Sequence, residues 1–136
     1  MNRIIVIVLA TLFVHCGKQD LQTGDAFKQG DAIEISGTLV DTRCFAENTN
    51  NIGNDHDRSE GHIQACGTAC ARLGFPVAVV TGGLKDGKVW VLLTNPQAMA
   101  DYIAAPVRVS GTVGDNGIVI PERVELKTTS GWTIIL

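Results

Sequence analysis

Between residues 107 and 113 the chain alternates with a strict period of two. Val107, Val109 and Val113 share one face with Gly111, while Arg108, Ser110 and Thr112 share the other. A pleated backbone turns successive side chains to opposite faces and a helix does not, so this segment is predicted to be a half-buried β-strand. The same reasoning applies to Ile33, Ile35 and Leu39, which alternate with Glu34, Ser36 and Thr38 in a strand running to Asp41; Gly37, in the apolar register, marks a bulge or a sharp bend. Two continuous apolar runs, 75–80 and 89–93, are joined by Gly82-Gly83 and Asp86-Gly87 and predict a hairpin with a longer loop. Asp115-Asn116-Gly117 turns the chain into a strand with Ile118, Ile120, Val124 and Leu126 as its apolar set, and Trp132, Ile134 and Leu136 form a last strand. One short helix interrupts the strands. Asn95 caps it, Pro96 opens it, Ala98, Met99, Tyr102 and Ile103 line one side, and Pro106 closes it.

These elements predict a mainly β protein with one or two helices. Five or six strands, with glycines inside strands that must bend, point to a small closed antiparallel barrel, with a β-sandwich as the alternative. The segments 35–40 (Ile-Ser-Gly-Thr-Leu-Val) and 107–113 resemble the curved strands of OB-fold barrels, including those of exported bacterial OB-like proteins. That resemblance covers most of the chain from about residue 31 and implies an OB-type barrel.

The chain opens with Asn2-Arg3, an apolar run from 4 to 14 broken at Thr11, and then His15-Cys16. The run is shorter than the roughly 20 apolar residues of a membrane-spanning helix, so residues 1–15 are read as a signal peptide. The arrangement resembles a bacterial lipoprotein signal, which implies cleavage before Cys16, a lipid on Cys16, and a place in the cell envelope, periplasm or outer membrane. Phe13 and His15 stand where that family usually has a Leu and a small residue, and a plain secretory peptide with a free Cys16 is the other reading. Residues 16–31 are mostly small, polar or charged and read as a lipid-attached tether, leaving 32–136 as the barrel domain. A net charge of −3 and the absence of a basic run exclude nucleic acid as an expected partner, because phosphate neutralisation needs clustered Lys and Arg.

The chemistry concentrates in an insertion, 45–74, after the first strand. Its first half, Asn48 to Asp55, is polar and turn-rich; its second half is predicted helical, with Asp57 or Ser59 as cap, Glu60 near the positive end, and Gly74 before Pro76 as the stop. His62, Cys66 and Cys70 recur at every fourth residue and so fall within a sector roughly 80° wide on one helix face. His62 and Cys70 are about 12 Å apart along an ideal axis, whereas zinc sits about 2.0 to 2.3 Å from its ligands. One ion taking all three needs a stretched imidazole or a distortion near Gly67. Cys44, at the end of the first strand, completes a Cys3His set suited to zinc, and thiolate-rich ligation also suits Cu(I). Nothing in the spacing selects an iron–sulfur centre.

Two other readings of the cysteines stay open. In an exported protein Cys44 can bridge to Cys66 or Cys70, stapling a partner-binding scaffold and leaving one thiol over, or the helix cysteines can serve a thiol–disulfide redox protein or sensor. A bridge between Cys66 and Cys70 inside one helix is disfavoured by disulfide geometry. The cluster also resembles small exported bacterial proteins, mostly uncharacterised, in which a strand ending in Cys-Tyr or Cys-Phe precedes a His-x3-Cys-x3-Cys helix and a Gly-x-Pro strand; here the matching residues are Cys44-Phe45, His62, Cys66, Cys70 and Gly74-Phe75-Pro76. The resemblance implies that Cys44, His62, Cys66 and Cys70 act together and implies no established activity.

Other motifs carry less. Asp41 beside Arg43 reads as a solvated rim pair, His56 as an exposed loop histidine, Trp90 and Trp132 as core or rim aromatics, and Met99 as core. Gly82-Gly83 lacks the Lys-Ser or Lys-Thr of a phosphate loop, no catalytic carboxylate pair is recognisable, and no enzyme is required.

Overall fold

The computed structural model describes residues 27–52 and 66–136. Their strands are β1 (Ala32–Asp41), β2 (Val77–Thr81), β3 (Lys88–Val91), β4 (Pro106–Val113), β5 (Val119–Thr128) and β6 (Gly131–Ile134). Among the described residues they form a single six-stranded sheet in the order β3-β2-β1-β4-β5-β6, antiparallel at every ladder. Among the described residues the short α-helices that accompany it are α1 (Thr42–Glu47), α2 (Cys66–Arg72) and α3 (Pro96–Met99), the last continuing into a 3-10 turn at Ala100–Tyr102. The protein is thus mainly β with few helices, and the described residues contain no second sheet from which to build a sandwich.

A closed barrel is not established. The residues just after β3 touch the start of β5, the strand next to the far edge of the sheet, at one isolated parallel bridge between Leu92 and Val119, where the Leu93 N–H donates to the Val119 carbonyl at 2.8 Å. The reason for so short a junction is local: β3 is only four residues long, and the chain leaves it for the Asn95 cap of α3. Even so, β1 to β5 turn one face to a common core containing Ile33, Ile35, Leu39, Val77, Val79, Trp90, Val107, Val109, Val113, Val119 and Val124. Met99, Ala100 and Ile103 close that core from α3 and its 3-10 turn. Asn95 Oδ1 accepts the Gln97 N–H at 3.0 Å, so the cap is as expected. Ala98, however, is exposed, and Ala100 takes the inward place.

β1 changes partner along its length. Ala32 to Thr38 pair with β4 and Thr38 to Asp41 pair with β2. Gly37 sits at the changeover, where any Cβ would run into the Val80 carbonyl oxygen. The glycine is thus required by a close backbone approach, and the bulge lies elsewhere. The β4–β5 register shifts between Ser110 and Gly111, which face Arg123 and Pro121 and leave Glu122 as the extra residue.

That bulge overturns the expected apolar face of β5. An extra residue exchanges inward and outward parity along a strand, so Val119 is buried before the bulge and Ile120 is 42% exposed, while Val124 is buried after it. The last strand is corrected in the same sense: Trp132, Ile134 and Leu136 are exposed, and Ile135 packs against the core. Trp132 lies on the outer surface, with the Arg108 guanidinium 4.9 Å and the Lys127 ammonium 5.0 Å from its ring centre. Trp90 is buried, and its Nε1–H donates to Thr81 Oγ1 at 3.2 Å.

The end of the sheet nearest the insertion is covered on both sides. Leu39, Val77 and Val79 face the main core, while Val40, Ala78 and Val80 form a second cluster with Phe45 of α1. This double cover explains the unbroken apolar run of β2, which a half-exposed strand does not need. The same cover places α1 directly beyond the end of β1, beside α2.

Candidate metal centre

Asp41 ends β1 and starts α1. Its Oδ1 accepts the Cys44 N–H at 2.9 Å, satisfying a donor that the first helical turn leaves unpaired. Reading Asp41 as a solvated rim partner of Arg43 was therefore mistaken. Asp41 is fully buried, and its Oδ2 has no hydrogen-bond partner among the described residues. Arg43 instead reaches Glu47 at 3.6 Å and lies over the Phe75 ring at 5.0 Å. Cys44 correspondingly belongs to the first turn of a helix and not to a strand end.

On α1 the neighbouring side chains divide the work: Phe45 joins the second apolar cluster, and Cys44 meets α2. α2 is held from the opposite side. Thr68 Oγ1 donates to the Ala100 carbonyl at 3.0 Å, and Gln97 Nε2 donates to the Arg72 carbonyl at 3.1 Å. Its end is a Schellman motif: the Phe75 N–H donates to the Cys70 carbonyl and the Gly74 N–H to the Ala71 carbonyl, with Gly74 at φ +95°. The stop expected at Gly74 is thus made by left-handed backbone that a residue with a Cβ adopts poorly.

The Cys44 Sγ stands 3.0 Å from the Cys66 Sγ and 4.0 Å from the Cys70 Sγ, and all three sulfurs lie within 4.8 Å of one another. All three are free thiols. Two come from neighbouring turns of α2 and the third crosses from α1, with Cys44 and Cys66 separated by 22 positions in sequence. Zinc–sulfur bonds of about 2.3 Å set sulfurs of a tetrahedral site about 3.8 Å apart, and the observed spacings bracket that edge. The cluster is close enough to hold a metal ion. His62, expected as the fourth donor, lies outside the described residues, as do His56, Asp57, Ser59, Glu60 and Cys16.

The site disfavours bare thiolates. Burial pushes the Cys44 thiol far above its ordinary range, and the hydrogen bond with Cys66 and the charge of Asp41 act in the same direction. Burial also raises Cys70; its hydrogen bond with Cys44 works against the shift, and Asp41 adds to it. A metal ion reverses this balance, since a coordinating thiol is deprotonated by the ion it binds.

No family model, curated protein or solved structure matches the chain.

Among the residues that matter here, Asp41 and the helix α1 were missed from sequence. The signal was present as Asp41-Thr42-Arg43-Cys44, an acidic cap followed by residues a helix tolerates, but it is short and directly continuous with a strand.

Proposed function

We propose that this protein binds one metal ion through Cys44, Cys66 and Cys70, with His62 as the fourth donor, in a cell-envelope lipoprotein anchored by Cys16. The observation that carries the reading is the meeting of three sulfurs from α1 and α2 within 4.8 Å, those of Cys44 and Cys70 buried, beside a buried carboxylate. Zinc is the choice if His62 closes a tetrahedral set, and it then secures the insertion against the sheet. Copper(I) is the choice if the three sulfurs suffice, which makes the site one for metal handling in the envelope. The sheet, with the chain after β3 bridging to β5 at Leu92 and Val119, is proposed to be an OB-type barrel.

The full chain, purified without added reductant, is assayed for zinc and copper together with a thiol count. About one ion per chain, lost on Cys44→Ser, supports the proposal. A metal-free chain in which a disulfide joins two of Cys44, Cys66 and Cys70 and leaves the third as a free thiol overturns it in favour of a disulfide-stapled scaffold. A second reading, a thiol–disulfide redox protein or sensor, draws on the 3.0 Å approach of Cys44 to Cys66.

A further inference from the structure

We propose that the cluster is also a redox-controlled site in which Cys66 and Cys44 form a disulfide and thereby expel the metal, leaving Cys70 as the odd thiol. The metal-release part rests on the function proposed above; the pairing does not. Three observations assign the order of events. Cys44 is shared by both close sulfur pairs, 3.0 Å to Cys66 and 4.0 Å to Cys70, so any bridge between α1 and α2 must use it. Its nearer partner is Cys66, and a disulfide of about 2.05 Å requires the two sulfurs to close by only about 1 Å. Cys44 and Cys70 are 5% and 8% exposed, while Cys66 is partly open to solvent, so an external oxidant meets Cys66 first.

The co-reactant is a small-molecule disulfide, R–S–S–R. The Cys66 thiolate attacks one of its sulfurs, forming a Cys66–S–S–R mixed disulfide and releasing one thiolate. Cys44 then attacks the Cys66 sulfur, forming the Cys44–Cys66 bond and releasing the second thiolate. Two protein sulfurs are oxidised by one electron each, the external S–S bond is reduced, and the two departing thiolates take up the protons that the protein thiols gave up, or solvent protons where the protein thiolates were metal-bound. A metal ion loses two of its three sulfur ligands in the process. Metal and bridge exclude each other because both claim the same electron pairs on Cys44.

The test uses the full chain, metal-free and zinc-loaded, treated with oxidised glutathione. Released zinc is read with a chromogenic chelator, free thiols are alkylated, and tryptic peptides are mapped without reduction. Trypsin separates Cys44, after Arg43, from the 59–72 peptide that carries both Cys66 and Cys70, and fragmentation of that peptide locates the bond. The expected result is a Cys44–Cys66 bridge with alkylated Cys70 in the metal-free chain, and stoichiometric zinc release as that bridge forms in the loaded chain. Cys44→Ser should accumulate the glutathione adduct on Cys66, and Cys70→Ser should still form the bridge. A bridge through Cys70, or bonds between chains alone, overturns the pairing and leaves metal binding standing. Formation of the Cys44–Cys66 bridge with zinc retained overturns the release and the proposed metal ligands together. A chain that takes up no zinc but makes the expected bridge overturns the metal site and keeps the pairing.

Discussion

The carboxylate of Asp41 holds the backbone N–H of Cys44 at 2.9 Å through one oxygen while its other oxygen, fully buried, has no partner among the described residues. One residue thus sets the start of α1 and places negative charge beside the thiol cluster. The two roles separate by substitution. Asp41→Asn keeps a side-chain oxygen for the cap and removes the charge, whereas Asp41→Ala removes both. The alanine variant is expected to lose about 1 to 2 kcal/mol in urea denaturation from the cap alone, with the asparagine variant closer to wild type. Both should bind zinc more weakly in competition with a chelator, since the charge that attracts the cation is gone in each. Equal zinc affinity for Asp41→Asn and wild type would show that the carboxylate contributes through the cap only.

The choice between zinc and copper turns on His62. If the ion is zinc, His62→Ala should weaken binding by about 10- to 100-fold or more, because a tetrahedral site loses a ligand. If it is copper(I), three sulfurs satisfy the ion and the same variant should bind within a few-fold of wild type. Elemental analysis and chelator competition on the two proteins decide the matter.

Glu125 supplies a pH-dependent contribution on the outer face of the sheet. Its carboxylate is gripped by Arg108 at 2.8 Å and by Arg123 at 2.8 Å. Hydrogen bonding from Arg108 holds its pKa below the ordinary carboxylate range; burial pulls the other way, and Arg123 adds to the lowering. The folded state therefore releases this proton more readily than the unfolded chain does. The resulting stability is fully present above about pH 4.3, the unfolded value, and is lost as pH falls through the lower folded value. Glu125→Gln should lower the urea midpoint at neutral pH and show a shallower acid decline than wild type. Parallel acid limbs for the two proteins would refute the assignment.

The parity of the last strand is open to a direct comparison. Ile135 packs against the core and Ile134 is 57% exposed. Ile135→Ala is expected to cost about 1 to 3 kcal/mol, short of a fully buried isoleucine, while Ile134→Ala should stay within about 0.5 kcal/mol. Denaturant unfolding of the pair reads the difference, and the reverse ranking would restore the even-numbered register.

Gly37→Ala should be more damaging than its one added carbon suggests. The new Cβ meets the backbone carbonyl of Val80, which cannot rotate aside as a side chain can. A loss of about 1 to 3 kcal/mol is expected from overpacking at the point where β1 passes from β4 to β2, measured as a lowered thermal or urea midpoint. A neutral result would mean that the backbone around Gly37 shifts to admit the new carbon.

The features read correctly from sequence are local. Alternation along Ile33, Ile35 and Leu39 and along Val107, Val109 and Val113 reports the pleat of the backbone itself, and Asn95-Pro96 and Gly74 carry cap and stop in their own conformational preferences. Spacing by four placed Cys66 and Cys70 on neighbouring turns of one helix for the same reason. None of this determines which partner a strand finds or what covers its second face. Tertiary pairing decided that Glu122 is bulged, and one extra residue was enough to send Val119 inward and Ile120 outward. Tertiary packing likewise buried Asp41 and brought Cys44 against Cys66 across 22 positions of chain. Periodicity is a property of a few consecutive peptides, whereas register, burial and a shared centre of three sulfurs depend on distant segments competing for the same space.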